Sequence, residues 1–108
     1  MNMGYAKERG KIEQLSVKIA AIDVYNEKNF DILVDTQEKY SHTVRILKNK
    51  EPETFGSLYE NELQAIKASK KAVRESEDEV TRQNTFTIYK TVLVDALAKT
   101  VEATLNSL

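Results

Sequence analysis

Asn49-Lys50-Glu51-Pro52-Glu53-Thr54-Phe55-Gly56-Ser57 lies at the midpoint of the 108-residue chain and holds its single proline and one of its three glycines. About fifty residues without a comparable breaker run on either side, so the stretch reads as the elbow of a helical hairpin. Pro52 disfavours helical geometry at Glu51. Lys48 and Lys50 place positive charge where the dipole of a preceding helix favours it. Ser57-Leu58-Tyr59-Glu60 has the spacing of a capping box, in which the Ser57 hydroxyl and the Glu60 carboxylate exchange bonds with each other's backbone N–H. The expected elbow is residues 50–56, with a first arm over about residues 5–49 and a second over about residues 57–106.

Both arms carry apolar residues in alternating steps of three and four, the spacing that keeps one stripe on one helix face. In the first arm Ile12, Leu15, Ile19 and Ile22 begin the stripe, and Leu33, Tyr40, Val44 and Leu47 finish it. Asn26 and Asn29 fall where the stripe should be apolar, so the arm either continues with a polar middle or breaks around them. In the second arm Tyr59, Leu63, Ile66, Val73, Val80, Val94, Val101, Leu105 and Leu108 keep the same rhythm. The run from Asn84 to Val92 is dense in β-branched and aromatic residues, which leaves a short strand or a helix break open there. Folding the arms about the elbow sets Leu47 opposite Glu60 and Leu63, Ile22 near Phe86, and the polar Asn26 region near Arg82. Apolar segments then meet apolar ones, and the fold class is all-α.

The arms offer more apolar surface than one seam can cover. Near the open end the first arm adds Val17, Ala21 and Val24, and the second adds Phe86, Tyr89, Leu93 and Leu97. Each such side chain left in water costs on the order of 1.5–3 kcal/mol. These seven residues are therefore the expected partner-binding surface, through a second copy or a different hairpin completing a four-helix bundle. The alternative is that the arms refold into four shorter helices and bury the arc themselves.

Several function classes recede on composition. Sixteen basic and seventeen acidic side chains nearly cancel, so no global field attracts nucleic acid or an anionic membrane. Without cysteine there is no disulfide, thiolate metal site or cysteine nucleophile. His42, the single histidine, is read as a solvated helix residue rather than a zinc ligand. Acidic pairs such as Asp31 with Asp35 have helical spacing but no apolar setting that would tune them for acid–base chemistry. The cluster Lys67, Lys70, Lys71 and Arg74 is followed directly by Glu75, Glu77, Asp78 and Glu79, which weaken its field within a Debye length. No enzyme, no cofactor, no nucleic-acid partner and no membrane span are expected. The N-terminal stretch has no apolar core of a cleavable signal peptide. The reading is a cytoplasmic protein, or one exported by a route that needs no such signal.

Two long helices, about 100 residues, no cysteine and the central pair Phe55-Gly56 together resemble the small Trp-X-Gly proteins of type VII secretion systems and the hairpin partners of their larger toxin substrates. In that family the aromatic residue and glycine sit in the turn; here they are adjacent rather than one residue apart. The family's Tyr-x-x-x-Asp/Glu pattern meets Tyr89-Lys90-Thr91-Val92-Leu93, with the next acid at Asp95. The resemblance implies secretion or targeting as a paired helical hairpin. It would make Phe55 and Gly56 a recognition signal, where the plainer reading is a turn. A helical adaptor is the first function expected. A regulatory or inhibitory binder of an enzyme or transcription factor, of the phage-encoded or immunity type, is the alternative. A coiled-coil component of a secretion or phage-tail assembly is the third.

Overall fold

The computed structural model describes residues 5–106; Leu108, last in the second stripe, and residues 1–4 lie outside them. Those residues form helices α1 (Ala6–Ile19), α2 (Glu27–Lys50), α3 (Pro52–Ser57), α4 (Leu63–Glu75) and α5 (Glu79–Asn106), with a π-helical stretch, Leu58–Glu62, joining α3 to α4. No strand occurs among them. The β-rich run at residues 84–92 lies inside α5, where burial of Phe86 and Tyr89 on a helical face outweighs local strand preference.

Neither arm is one continuous helix, and of the two courses open to the first arm the break near Asn26 is the one observed. Two uninterrupted helices of about 45 residues would each be roughly 68 Å long, whereas the longest extent of the molecule is 53 Å. The first arm breaks over residues 20–26 and the second over residues 76–78. Polar side chains hold both breaks. Asn26 caps α2 by accepting from the Asn29 N–H at 2.7 Å, and the Asn29 amide donates to the Val24 carbonyl at 2.8 Å. Gln83, reaching over from α5, accepts from the Tyr25 N–H at 2.7 Å and donates to the Asp23 carbonyl at 2.9 Å. Asp78 starts α5 by accepting from the Thr81 N–H at 2.8 Å. That bond holds its carboxyl below the usual carboxylate range.

The elbow is tighter than residues 50–56. Glu51 alone leaves helical geometry, at φ −147° and ψ 77°. Pro52 begins α3 as its first residue, a position where its missing N–H costs nothing. The capping box does not form: Ser57 is itself helical, with φ −69° and ψ −35°, and its side chain makes no cap bond. Phe55 is fully buried, edge-on to Tyr5 with ring centroids 5.3 Å apart. A Cβ at Gly56 would meet nothing within 4 Å, so the turn does not require glycine there.

Neighbouring helices run antiparallel. Lys50 with Glu8 and Lys18 with Asp35 mark α1 against α2. Lys99 with Glu62 and Ser76 with Thr85 mark α5 against the second arm's first half. Lys48 over the Tyr59 ring and Arg74 over the Phe30 ring mark α2 against α4. Asp23, in the break that follows α1, meets Gln83 near the start of α5. Segments expected opposite each other do meet, but the paired arms are also folded back upon themselves. The core is one continuous cluster running from Tyr5, Ile12 and Phe55 through Leu33, Tyr40 and Ile66 to Phe86, Tyr89 and Leu93. α5 touches every other helix, which is why its apolar arc is wide.

Two phenols cross this core. Tyr40 Oη lies 2.8 Å from Thr100 Oγ1, and the Tyr89 hydroxyl donates to Gln37 Oε1 at 2.5 Å. Burial pushes the Tyr40 phenol up to about 12 and the Tyr89 phenol upward as well. A raised folded pKa makes the contribution to stability complete below the unfolded value of about 10 and progressively lost above it. Stability should therefore fall between about pH 10 and pH 12. Phenolate absorbance followed beside helical circular dichroism checks this. Two of the five tyrosines are expected to ionise only as the helix signal is lost; five ionising near pH 10 with helix intact would contradict the buried pairs.

Candidate functional site

The structure separates the seven residues expected at the partner surface. Phe86, Tyr89, Leu93 and Leu97 are fully buried within the single chain, so as folded they cannot meet a partner. Their cover comes from the two chain breaks, which let α1, α2 and α4 all lie against α5. Phe86 packs edge-on to Tyr25 at 5.6 Å, and Tyr89 lies 5.8 Å from Phe30. Val17 and Val24 remain 77% and 62% exposed, and Ala21 is exposed beside them in sequence. These three no longer belong to a broad apolar face.

A different surface combines shape with unmet charge. Between α2 and the second arm runs a trough of about 650 Å³, lined by Ser41 and Arg45 on one side and by Tyr59, Asn61, Gln64 and Lys67 on the other. A second cleft of about 340 Å³ continues it past His42 to Lys70 and shares Ser41, Arg45, Leu63 and Lys67 with the first. The π-helical stretch Leu58–Glu62 forms one wall; such widened turns are frequent at functional sites. Buried Leu63 and Ile66 fix the roll of α4, which leaves Lys67 at the trough's rim. Leu47 and Val44 do the same for α2 and Arg45.

Arg45, Lys67 and Lys70 make no ion pair among the described residues. Lys48 stands over the Tyr59 ring at 4.5 Å, adding a cation near the elbow. Glu38 and Glu60 are the acids in the lining. The cleft between α1 and α2, about 480 Å³, differs in this respect. There Lys39 and Lys18 both reach Asp35, at 3.0 and 3.4 Å, and the Lys39 bond above all holds that carboxyl below its ordinary range. Of its five charged residues Lys18, Lys39 and Asp35 are already paired with one another, while Lys11 and Glu38 make no ion pair among the described residues.

Sequence reasoning found Lys67, Lys70, Lys71 and Arg74 but read them as a solvated face, and it missed Ser41 and Arg45. The signal was present, since Arg45 and Lys48 lie three apart and next to Leu47, which the arm pairing sets opposite Glu60 and Leu63. His42 lies exposed at the junction of both clefts. Among the described residues no three His, Asp or Glu side chains gather as a metal site. No helix among them is long and apolar enough to cross a membrane.

Fold and surface together define an all-helical protein with a polar, cation-rimmed trough between two antiparallel helices. No protein-family model, curated protein or solved structure matches the chain.

Proposed function

We propose that the chain is a noncatalytic helical interaction protein, which closes its own up-and-down four-helix bundle and docks an acidic protein segment along the α2–α4 trough. The observation that carries this reading is the trough itself, rimmed by Arg45, Lys67 and Lys70 without ion-pair partners among the described residues. Unmet cations around a concave surface lined with amides, hydroxyls and a tyrosine suit carboxylates on a helix or loop. A nucleic-acid strand fits less well. The net charge is −1, Glu38 and Glu60 interrupt the cations, and an acidic turn follows α4. The likeness to type VII hairpin proteins gives one form of the proposal, in which the occupant belongs to a larger secreted partner. A regulatory binder of an enzyme would use the same surface.

Fluorescence anisotropy with a labelled poly-glutamate peptide and a single-stranded oligonucleotide tests the proposal. Charge-assisted hydrogen bonds are worth about 1.5–3 kcal/mol each. The peptide should therefore bind saturably, and the double variant Arg45→Ala, Lys67→Ala should bind it at least about tenfold more weakly. Unchanged peptide affinity in that variant, or tighter binding of the oligonucleotide, would contradict the proposal.

A further inference from the structure

The α2–α4 edge differs in net charge between its two ends: towards the elbow four cations outweigh Glu60, and at the far end six acids outweigh Lys28, Lys71 and Arg74. Its elbow half carries Arg45, Lys48, Lys67 and Lys70. Its far end carries Glu27 and Asp31 at the start of α2, and Glu75, Glu77, Asp78 and Glu79 where α4 turns into α5. The stacking of Arg74 on Phe30 shows that these two acidic segments adjoin. All six acids are exposed. Little of this charge is neutralised within the chain: Lys71 meets Glu75 at 3.9 Å on open surface, and Asp78 is occupied as a cap. Glu27, Asp31, Glu77 and Glu79 join Lys67, Lys70 and Arg45 in having no ion pair among the described residues.

Along α4 Lys67 in the basic block and Glu75 at the start of the acidic one are about 12 Å apart. A second copy laid antiparallel along this edge therefore brings its acidic end to the trough while receiving the first copy's acidic end in its own. Such a contact is isologous and closes after two subunits, the commonest symmetry among soluble oligomers. We propose that the occupant of the trough is the acidic far end of a second copy, in a two-fold dimer paired along α2 and α4. This rests on the trough being a protein-docking surface and names what docks there. Charge dominates the contact, so the dimer is weak and sensitive to salt. The expected partner end of the hairpin thereby takes part through its acids rather than its apolar arc.

Sedimentation equilibrium of the full chain at about 20 mM and about 500 mM salt tests the dimer, the lower concentration lengthening the screening distance several-fold. The wild-type average mass should rise from 12.3 kDa towards twice that value with concentration at low salt, and return at high salt. Lys67→Glu with Lys70→Glu, and separately Glu77→Lys with Glu79→Lys, should each leave a helical monomer. Mixing the two variants should restore association as a one-to-one heterodimer, because the acids added to one trough then face the lysines added to the other copy's far end, while each variant alone sets like charges against each other at those positions. A wild-type chain that stays monomeric at low salt, or a mixture that does not associate, overturns the proposal. If the wild type is monomeric yet binds poly-glutamate through the trough, self-docking fails and the docking surface stands. If it does neither, both fail.

Discussion

Alanine in place of Phe86 is expected to remove about 3–5 kcal/mol from the free energy of unfolding, a large share of the roughly 5–15 kcal/mol such a domain possesses. Phe86 is fully buried within one chain and packs edge-on against Tyr25. Truncating it removes apolar contact and leaves a cavity beneath the turn at residues 20–26, which polar bonds hold in place and which therefore collapses only partly. Ile88, two residues further along α5, is 56% exposed; its alanine variant should cost under about 1 kcal/mol. Urea unfolding of dilute protein provides the comparison. Equal costs at the two positions, or a Phe86 effect that appears only at high protein concentration, would put the apolar arc at an intermolecular surface instead.

The second large effect belongs to the buried pair of Tyr89 and Gln37. Their bond spans α5 and α2 at 2.5 Å inside the core. Tyr89→Phe keeps the ring and removes the donor, leaving the Gln37 carbonyl oxygen short of a partner at a cost of about 1–3 kcal/mol. Gln37→Leu leaves the phenol unmet at a similar cost. The double variant removes both polar groups at once and should lose less than the sum of the single variants, by about 1 kcal/mol. Additive losses would mean that the two groups do not depend on each other.

How much of this was legible follows from where each signal sits. The elbow and the arm pairing rest on local punctuation and on stripe spacing, and both Lys48 with Tyr59 and Asp23 with Gln83 lie where the pairing expected them. The break at residues 20–26 contains neither glycine nor proline. Two of its backbone groups, Tyr25 N–H and Asp23 C=O, are met by Gln83, some 60 positions away, a partner that no local pattern announces. The polar lapse at Asn26 and Asn29 was visible, and its cause is a helix cap. The apolar excess on α5 was also visible, with two covers open to it; a partner stood first and the arms folding back second, and burial of Phe86, Tyr89, Leu93 and Leu97 within one chain is what the second gives. In the elbow two start signals competed. Pro52 at the first helical position prevailed over Ser57, which then had helix on both sides and nothing to cap. The trough escaped notice for a different reason: its cations are divided between the arms, and neither half alone exceeds an ordinary charged helix face.

The central claim is that the docking surface is the α2–α4 trough rather than the open-end apolar arc. Amide chemical-shift mapping during a poly-glutamate titration tests it residue by residue. The largest changes should fall within residues 41–45 and 59–70, the spans that hold Ser41, Arg45, Tyr59, Gln64, Lys67 and Lys70 of the trough lining, with Val17, Ala21 and Val24 unmoved. Changes concentrated at Val17, Ala21 and Val24, with Arg45 and Lys67 silent, would contradict the account.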